Sequence, residues 1–340
     1  MKYDFINKLL LFPYYFVLRV RHCLYDNSFI KSKSFSIPII SIGNITVGGT
    51  GKTPHTEFLI RELMPTEKVA VLSRGYGRKS KGFRMVSALD LAIDCGDEPL
   101  QIKRKFPDTI VAVDGKRKRG IEKLMALPEG DRPSVILLDD AFQHRSVKPS
   151  TNIVLIDFNN PIDTDYLIPV GRLRDLPDQL SRADIIVVTK CPPGLDPGER
   201  FLWERRLKVS PNQKIVFTSL KYSDPVAIFE EADNRYIYSK FLILLTSVAN
   251  PKPLRYHLVN SYKIESSLDF NDHHNFTKRD GRRINRWARS NPISLIMTTE
   301  KDAQRLRSLL PLSQDVKKRL FYLPIEVTIL NENGKNSLLL

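Results

Sequence analysis

Ile37-Pro38-Ile39-Ile40-Ser41-Ile42-Gly43-Asn44-Ile45-Thr46-Val47-Gly48-Gly49-Thr50-Gly51-Lys52-Thr53-Pro54 is the stretch whose reading decides the fold. The apolar run through Ile40 predicts a strand. It passes into a loop carrying Gly48, Gly49 and Gly51, and a helix is expected to open near Pro54, since proline suits a first helical turn. The glycines let the backbone fold tightly, so that its N–H groups can surround phosphate oxygens. In this P-loop layout Thr46, Val47, Gly48, Gly49, Thr50, Gly51 and Lys52 wrap a nucleoside triphosphate. Lys52 reaches the β- and γ-phosphates, and the Thr53 hydroxyl meets Mg²⁺. The strict spacing G-x-x-x-x-G-K-[ST] is not quite met, because Thr46 stands at its first position. A chance Gly-Lys-Thr in a surface loop would lack the strand before it and the clustered glycines.

Further short β-rich runs follow at Val69–Ser73, Thr109–Val113, Val135–Asp139, Ile153–Asp157, Asp184–Thr189, Lys214–Ser219, Phe241–Thr246 and Ile293–Thr298. Charged, helix-compatible stretches such as Pro54–Met64 and Gly115–Ala126 lie between them. Near-continuous Val/Ile/Leu runs mark strands buried on both faces, which is the signature of a parallel sheet. The alternation predicts an α/β fold: a P-loop NTPase-like parallel-sheet domain, a second smaller α/β domain, and an N-terminal amphipathic helix. The expected division is residues 1–30 for the helix, 31–150 for the nucleotide domain and 151–330 for the second domain, with the boundary after Lys148-Pro149-Ser150. Asn331–Leu340 reads as a loose tail.

Against 38 acids stand 53 lysines and arginines, a net charge of +15 that calls for an acidic partner: nucleic acid, an anionic membrane surface or a phosphorylated substrate. Cys23, Cys95 and Cys191 are too scattered for a disulfide framework or a metal cluster, which points to a reducing compartment. The uncharged stretch Leu9 to Leu18 within Phe5–Val20 is ten residues long, half of the roughly 20 needed to cross a bilayer. Arg19, Arg21 and His22 stand where a signal peptide would have small residues. Tyr14, Tyr15 and Phe16 beside those arginines suit a helix lying in a membrane interface; the same pattern suits a helix packed on the protein's own core. The basic charge favours the membrane.

Val135-Ile136-Leu137-Leu138-Asp139-Asp140 is a buried strand ending in two carboxylates, the place where P-loop proteins hold Mg²⁺. Capping of a turn is the alternative use of such acids. Gly96-Asp97-Glu98-Pro99 puts two acids in a tight turn. Arg74, in Ser73-Arg74-Gly75-Tyr76-Gly77, lies at another strand end and suits either phosphate or a surface acid. Asp272-His273-His274 lacks a third ligand at metal spacing and fits acid–base work better. Lys116-Arg117-Lys118-Arg119 is the densest basic patch, read either as a solvated helix face or as a lipid or phosphate contact.

The runs GNITVGGTGKTP, SRGYG, GDEP, DDAFQHR, GRLRD, FNDHHNF and TTEKDAQRL, in this order and spanning residues 41 to 306, closely resemble those of the tetraacyldisaccharide 4′-kinases of lipid A synthesis. Each run is weak alone, and together they are highly specific. The resemblance implies ATP-dependent phosphorylation of the 4′-hydroxyl of an acylated glucosamine disaccharide 1-phosphate, with ATP and Mg²⁺ as cofactors. It also implies a peripheral or monotopic protein at an anionic membrane surface, the cytoplasmic face of a Gram-negative inner membrane. It assigns Asp97 as the catalytic carboxylate, His273 as its partner, Asp139 and Asp140 as metal-site acids, and Arg174 as a phosphate contact beside Arg74. Two positions depart from the family pattern: Ala141 replaces Gly, and Asp175 replaces Glu. Both bear on loop geometry. Neither nucleic acid nor an obligatory protein partner is implied.

Two other function classes share some of these features. Val187-Val188-Thr189-Lys190-Cys191-Pro192 approaches the guanine-reading loop of a GTPase or metallochaperone-type switch, but Pro192 replaces the guanine-pairing Asp and no D-x-x-G follows Asp140. A nucleic-acid-dependent ATPase would suit the charge, yet the basic residues are scattered and no aromatic-rich nucleic-acid motif accompanies them.

Overall fold

The structure, a computed structural model, describes residues 2–248, 250–272, 274–308, 311–330 and 337–339. Among them the strands are β1 (Ile39–Asn44), β2 (Val69–Ser73), β3 (Arg84–Met85), β4 (Ile110–Val113), β5 (Val135–Asp139), β6 (Thr151–Asp157), β7 (Ile185–Thr189), β8 (Lys214–Tyr222), β9 (Val226–Ala227), β10 (Phe241–Thr246), β11 (Lys263–Asp269), β12 (Leu295–Thr299), β13 (Leu320–Leu323) and β14 (Ile325–Ile329). The helices are α1 (Lys2–Asp26), α2 (Lys52–Leu63), α3 (Ala92–Cys95), α4 (Asp97–Lys105), α5 (Arg117–Met125), α6 (Pro197–Leu207), α7 (Lys252–Leu258), α8 (Lys278–Ser290), α9 (Glu300–Leu306) and α10 (Gln314–Arg319).

Nine strands form one sheet in the order β14-β8-β7-β6-β1-β5-β2-β4-β3, and five form a second, β11-β10-β12-β13-β9. Among the described residues only the edge pairs β3–β4, β13–β9 and β14–β8 run antiparallel. β1 is central, paired in parallel with β5 on one side and β6 on the other. The strand order therefore turns about β1, and the crevice beyond its C-terminal end is where open α/β sheets bind ligands.

The boundary expected at residue 150 falls inside this sheet. β6 begins at Thr151 and pairs with Ile40–Asn44, and β7 and β8 extend the same layer. The turn at Lys148-Pro149-Ser150 is tied into it, for Ser150 Oγ accepts from Ile39 N at 2.9 Å. The change of sheet comes after Tyr222, and the chain returns to the first sheet through β14. The carboxyl end is also docked: Leu338 is fully buried, and its N–H reaches Glu62 of α2 at 3.2 Å. The loose-tail expectation fails for residues 337–339, and residues 331–336 lie outside the described ones.

Alternate residues of the central strands feed opposite layers. Val135 and Leu137 pack with Leu59 and Ile60 of α2 and Leu100 of α4, whereas Ile136 and Leu138 pack with Ile121 and Leu124 of α5. α1 joins α6 over β6 and β7: Leu11 and Leu18, two turns apart on one face, are buried with Val154, Val188 and Trp203. Burying two leucines contributes about 3–6 kcal/mol before ordering costs, one part of what holds α1 on the body. Its other face stays apolar and open, with Phe12 60%, Phe16 57% and Val17 60% exposed. The alternative of a helix packed on the protein's own core is thus realised by one face, while the opposite face is apolar and exposed. Among the described residues no helix is long and apolar enough to cross a membrane.

Candidate active site

β1 ends at Asn44, and the chain loops over to α2, whose first residue is Lys52. Gly48 and Gly51 take φ of 103° and 90°, the left-handed region open to glycine. The α2 N-terminus can therefore open straight from the loop with its N–H groups facing outward. Asn44 Nδ2 donates to Thr50 Oγ1 at 3.0 Å, closing the loop on itself. His55, fully buried, braces it from below: Nδ1 donates to the Gly51 carbonyl at 2.8 Å and Nε2 lies 3.0 Å from the Thr218 hydroxyl. Burial pushes the His55 imidazole down to about 4, against the pull of the Gly51 carbonyl. Thr189 Oγ1 donates to the Thr50 carbonyl at 2.9 Å, and Lys190 bridges the Gly49 carbonyl and Asp157. The segment that approached a guanine-reading loop thus serves here as a strut for residues 49–50.

The paired acids end β5 beside this loop. Asp140 carries φ of 48° and sits 3.8 Å from Lys52 Nζ. Burial pushes its carboxyl up, but the Arg174 hydrogen bond and the Lys52 charge outweigh it and hold Asp140 at about 2. Asp139 is buried; Ser73 Oγ donates to its Oδ2 at 3.0 Å, and its Oδ1 has no protein hydrogen-bond partner. Burial first, then the charges of Glu98 and Asp140, push Asp139 up to about 6. A buried carboxylate oxygen without a partner, beside a second acid, fits a divalent cation. Among the described residues no three His, Cys, Asp or Glu side chains converge as a metal cage. The Asp139–Asp140 pair suits Mg²⁺, which is held by one or two carboxylates together with substrate phosphates and water.

Arg174 links the two parts. Its guanidinium spans both carboxylate oxygens of Asp140, one contact at 3.2 Å, and also bonds the Asn44 side chain. Arg74 is exposed, near enough for its charge to act on Arg117 and His144. The basic run 116–119 is neither of the two things expected of it as a whole. Arg117 is buried and donates to the carbonyls of Asp114 at 2.7 Å and Asp139 at 3.0 Å, supporting the acid pair from behind. Arg119 pairs with Asp114 at 2.8 Å.

Asp97 opens α4 and is buried. The loops around it cross closely: a Cβ on Gly75 would meet the Cys95 carbonyl at 2.6 Å, and one on Gly96 would meet Gly75 at 3.2 Å. Only glycines allow SRGYG and GDEP to share this space. Across from α4 lies α9 of the second sheet. Arg305 donates to Asp97, and Lys301 Nζ sits 3.8 Å from Asp97 and 2.9 Å from Glu98. Arg305 is itself held by Ser247 Oγ at 3.2 Å, the His274 carbonyl at 3.4 Å and Asp302 at 3.7 Å. Farther along, Lys105 bridges Glu57 at 2.6 Å and Glu300 at 3.0 Å, and Arg104 donates to Gln304 at 2.8 Å.

His273 lies outside the described residues. His274 is built into the structure: its ring stacks on Phe270 at 4.7 Å, and Nε2 meets Asp280 of the α8 cap at 3.0 Å. Sequence reasoning missed Glu98 as a neighbour of Asp139, and it missed Lys301 and Arg305. Their signal was present in TTEKDAQRL, where cations four residues apart share a helix face, but nothing in that run says which acids they meet.

The sequence pattern of the tetraacyldisaccharide-1-P 4′-kinases matches residues 7–340. The chain belongs to that family. A tetraacyldisaccharide 4′-kinase of Parabacteroides distasonis is 42% identical over 331 residues, covering 94% of this chain and 90% of its own. One of Bacteroides fragilis is 44% identical over 326 residues, covering 93% and 86%. The crystal structure of LpxK from Aquifex aeolicus in complex with ATP superposes with a TM-score of 0.73 at 26% identity, covering 98% of each chain. The chain is accordingly a phosphotransferase of lipid A synthesis, a tetraacyldisaccharide 4′-kinase with a P-loop fold. Its two departures from the 4′-kinase pattern both sit at packed places. Ala141 N donates to the Ile42 carbonyl at 3.2 Å, and Asp175 is fully buried against His22 of α1.

Proposed function

We propose that this 4′-kinase works by in-line transfer of the ATP γ-phosphoryl group at the meeting point of the P-loop, the Asp139–Asp140 pair and the α4 N-terminus. The observation that carries the reading is the placement of Lys52 and Arg174 on Asp140, with Glu98 close enough for its charge to raise Asp139. Three segments far apart in sequence meet at one sheet edge. Asp97, next to Glu98, orients the 4′-hydroxyl of the glucosamine disaccharide 1-phosphate. The hydroxyl oxygen bonds to the γ-phosphorus, its proton passes to Asp97, the bond to the β,γ-bridging oxygen breaks, and ADP leaves. The loop 46–53 holds the phosphates, Lys52 places charge on the γ-group, and Arg74 and Arg174 border the anionic site. Thr53, Asp139 and Asp140 would hold Mg²⁺, which offsets charge on the β- and γ-oxygens. The family resemblance assigns His273 a supporting role in the same step.

The open face of α1, with Phe12, Phe16 and Val17 outward and the exposed Arg19 beside them, lies in the interface of an anionic membrane. In this reading the protein works peripherally at the cytoplasmic face of the inner membrane, where its lipid substrate resides. The test is transfer of γ-³²P from ATP to the disaccharide 1-phosphate in detergent micelles, with GTP and single-stranded RNA as parallel controls. Flotation with anionic vesicles of the chain and a Phe12→Ser, Phe16→Ser, Val17→Ser variant completes it. Labelling from ATP and loss of flotation in the variant are expected. No labelled lipid product, or equal flotation, overturns the corresponding part.

A further inference from the structure

α1 does more than present an apolar face. Its inner side touches, at three points, the two loops that hold the phosphate site. Tyr14 OH donates to the Arg174 carbonyl at 3.0 Å. Arg21 donates to the Gln143 carbonyl, and Gln143 Nε2 in turn donates to the Asn44 carbonyl at 2.8 Å. His22 is buried, and its Nε2 lies 2.6 Å from Asp175 Oδ1, next in sequence to Arg174. The ring's other nitrogen settles the tautomer. Arg145 Nη1 sits 2.9 Å from Nδ1. A guanidinium can only donate, so Nδ1 accepts and Nε2–H donates to Asp175.

Asp175 has few other ways to be held. It is fully buried, its Oδ1 also accepts from Leu176 N at 2.9 Å, and Arg182 stands off at 3.7 Å without a hydrogen bond to Oδ2. Arg145 is itself fixed, by Asp26 at 2.5 Å and by the Tyr25 ring 4.9 Å away. The line Arg145–His22–Asp175 thus runs from α1 to the residue beside Arg174. The Arg174 N–H bonds the Ile45 carbonyl at 2.8 Å, while its guanidinium grips Asp140 and Asn44. The line has the buried His22–Asp175 hydrogen bond at its centre and part-buried ones on either side, the kind that hold one rotamer and one loop position.

We infer that His22 of the N-terminal helix is a positioning residue for phosphoryl transfer: through Asp175 it fixes the loop that aims Arg174 at Asp140 and the P-loop. The inference rests on the reading of Arg174 as part of the phosphate site. It makes α1 a component of the nucleotide site as well as the lipid-facing helix. Deleting α1 would then damage turnover on ATP and not the lipid KM alone.

The experiment is a double-mutant cycle of His22→Ala and Arg174→Ala in the full chain, reading kcat, KM for ATP and the thermal midpoint. Misplacement by an ångström costs on the order of 10²-fold, so His22→Ala should lower kcat/KM for ATP by about 10- to 100-fold. In the Arg174→Ala background His22→Ala should add no further loss of kcat/KM, yet lower the midpoint by as much as it does alone. His22→Gln, which can donate to Asp175 and accept from Arg145, should restore most of the rate and keeps the test open if the alanine variant folds poorly. A lowered midpoint with unchanged kcat/KM in His22→Ala, or full multiplication of the two rate losses, would reduce His22 to a packing role and overturn the inference. Unchanged kcat/KM in Arg174→Ala would overturn both the inference and the reading of Arg174 beneath it.

Discussion

In the proposed mechanism the loop at residues 44–53 and the acid seam at Asp97 serve one reaction, and the two are built in opposite ways. The loop is one continuous segment. Its shape comes from backbone: two left-handed glycines, a helix start and struts from His55, Thr189 and Lys190 that bond its carbonyls. The seam is assembled from α4, α9, the residue after β10 and the segment at His274. Its shape comes from charge, with Arg305 and Lys301 of one sheet meeting Asp97 and Glu98 at the edge of the other. Backbone geometry demands particular residues at fixed spacings. Charge pairing demands only opposite signs brought together by the fold.

The comparison can be broken at its centre by removing one group from each side. Asp97→Asn keeps the shape of the side chain and removes the proton acceptor; kcat should fall by about 10²–10⁴ with ATP affinity kept. Lys52→Ala removes a point charge from the transferring group; kcat should fall by about 10²–10³, the cost typical of one lost electrostatic contact to a transition state, and ATP should bind more weakly. Steady-state kinetics and nucleotide titration separate the two. If Asp97→Asn weakens ATP and spares kcat, the seam belongs to nucleotide binding and the contrast between the two regions collapses.

A smaller effect sharpens the seam itself. Arg305→Met leaves Asp97 buried with one cation fewer, and breaking a buried ion pair from one side costs about 3–5 kcal/mol. The thermal midpoint should drop and kcat with it. Arg305→Lys keeps the charge while losing the fork, so it should retain most of both. The outer rung is the control. Arg104→Met loses its bond to Gln304, away from Asp97, and should lower the midpoint slightly with kcat intact. Equal kcat losses in Arg104→Met and Arg305→Met would mean the seam is only an adhesive between sheets.

The smallest effect separates the regions by pH. His55, under the loop, is pushed by burial down to about 4 in the folded chain from an ordinary 6.5. The stability it lends is complete above pH 6.5 and is lost as pH falls toward 4, because the unfolded chain takes up the proton first. At about 1.4 kcal/mol per pH unit this amounts to at most about 3 kcal/mol. Glu300, on the seam, is pushed by burial and by the Glu57 charge up to about 7 from 4.5. Its contribution is complete below pH 4.5 and is lost as pH rises through 7. Thermal midpoints across pH 4–8 should lose their acid slope in His55→Gln and part of their decline toward neutral pH in Glu300→Gln. The same change in both variants would show that neither group reports its own region.

What could be seen beforehand follows the same division. The strand–loop–helix at 37–63, the buried strand ending in Asp139-Asp140 and an amphipathic N-terminal helix were all legible, because each is a local pattern of periodicity and turn chemistry. Arg117 was not: it sits in a run of four basic residues, and only its place under β5 buries it. That β6 would join the first sheet was not legible, because a Pro-containing turn looks the same whether the next strand opens a new sheet or joins the old one. That choice is made by the hydrogen bonds of β6 to β1.

By itself, then, the sequence determined the strands, the P-loop, the acids at the strand ends and the family to which they belong, since these depend on neighbours within a few residues. Tertiary structure alone decided which acids Lys301 and Arg305 would face, that Leu338 would be buried on α2, and that His22 would meet Asp175, 153 positions away. The physical reason is range. Backbone conformation and apolar periodicity are written residue by residue, whereas a salt bridge or a buried hydrogen bond can join any two side chains that the fold brings within about 3 Å of each other.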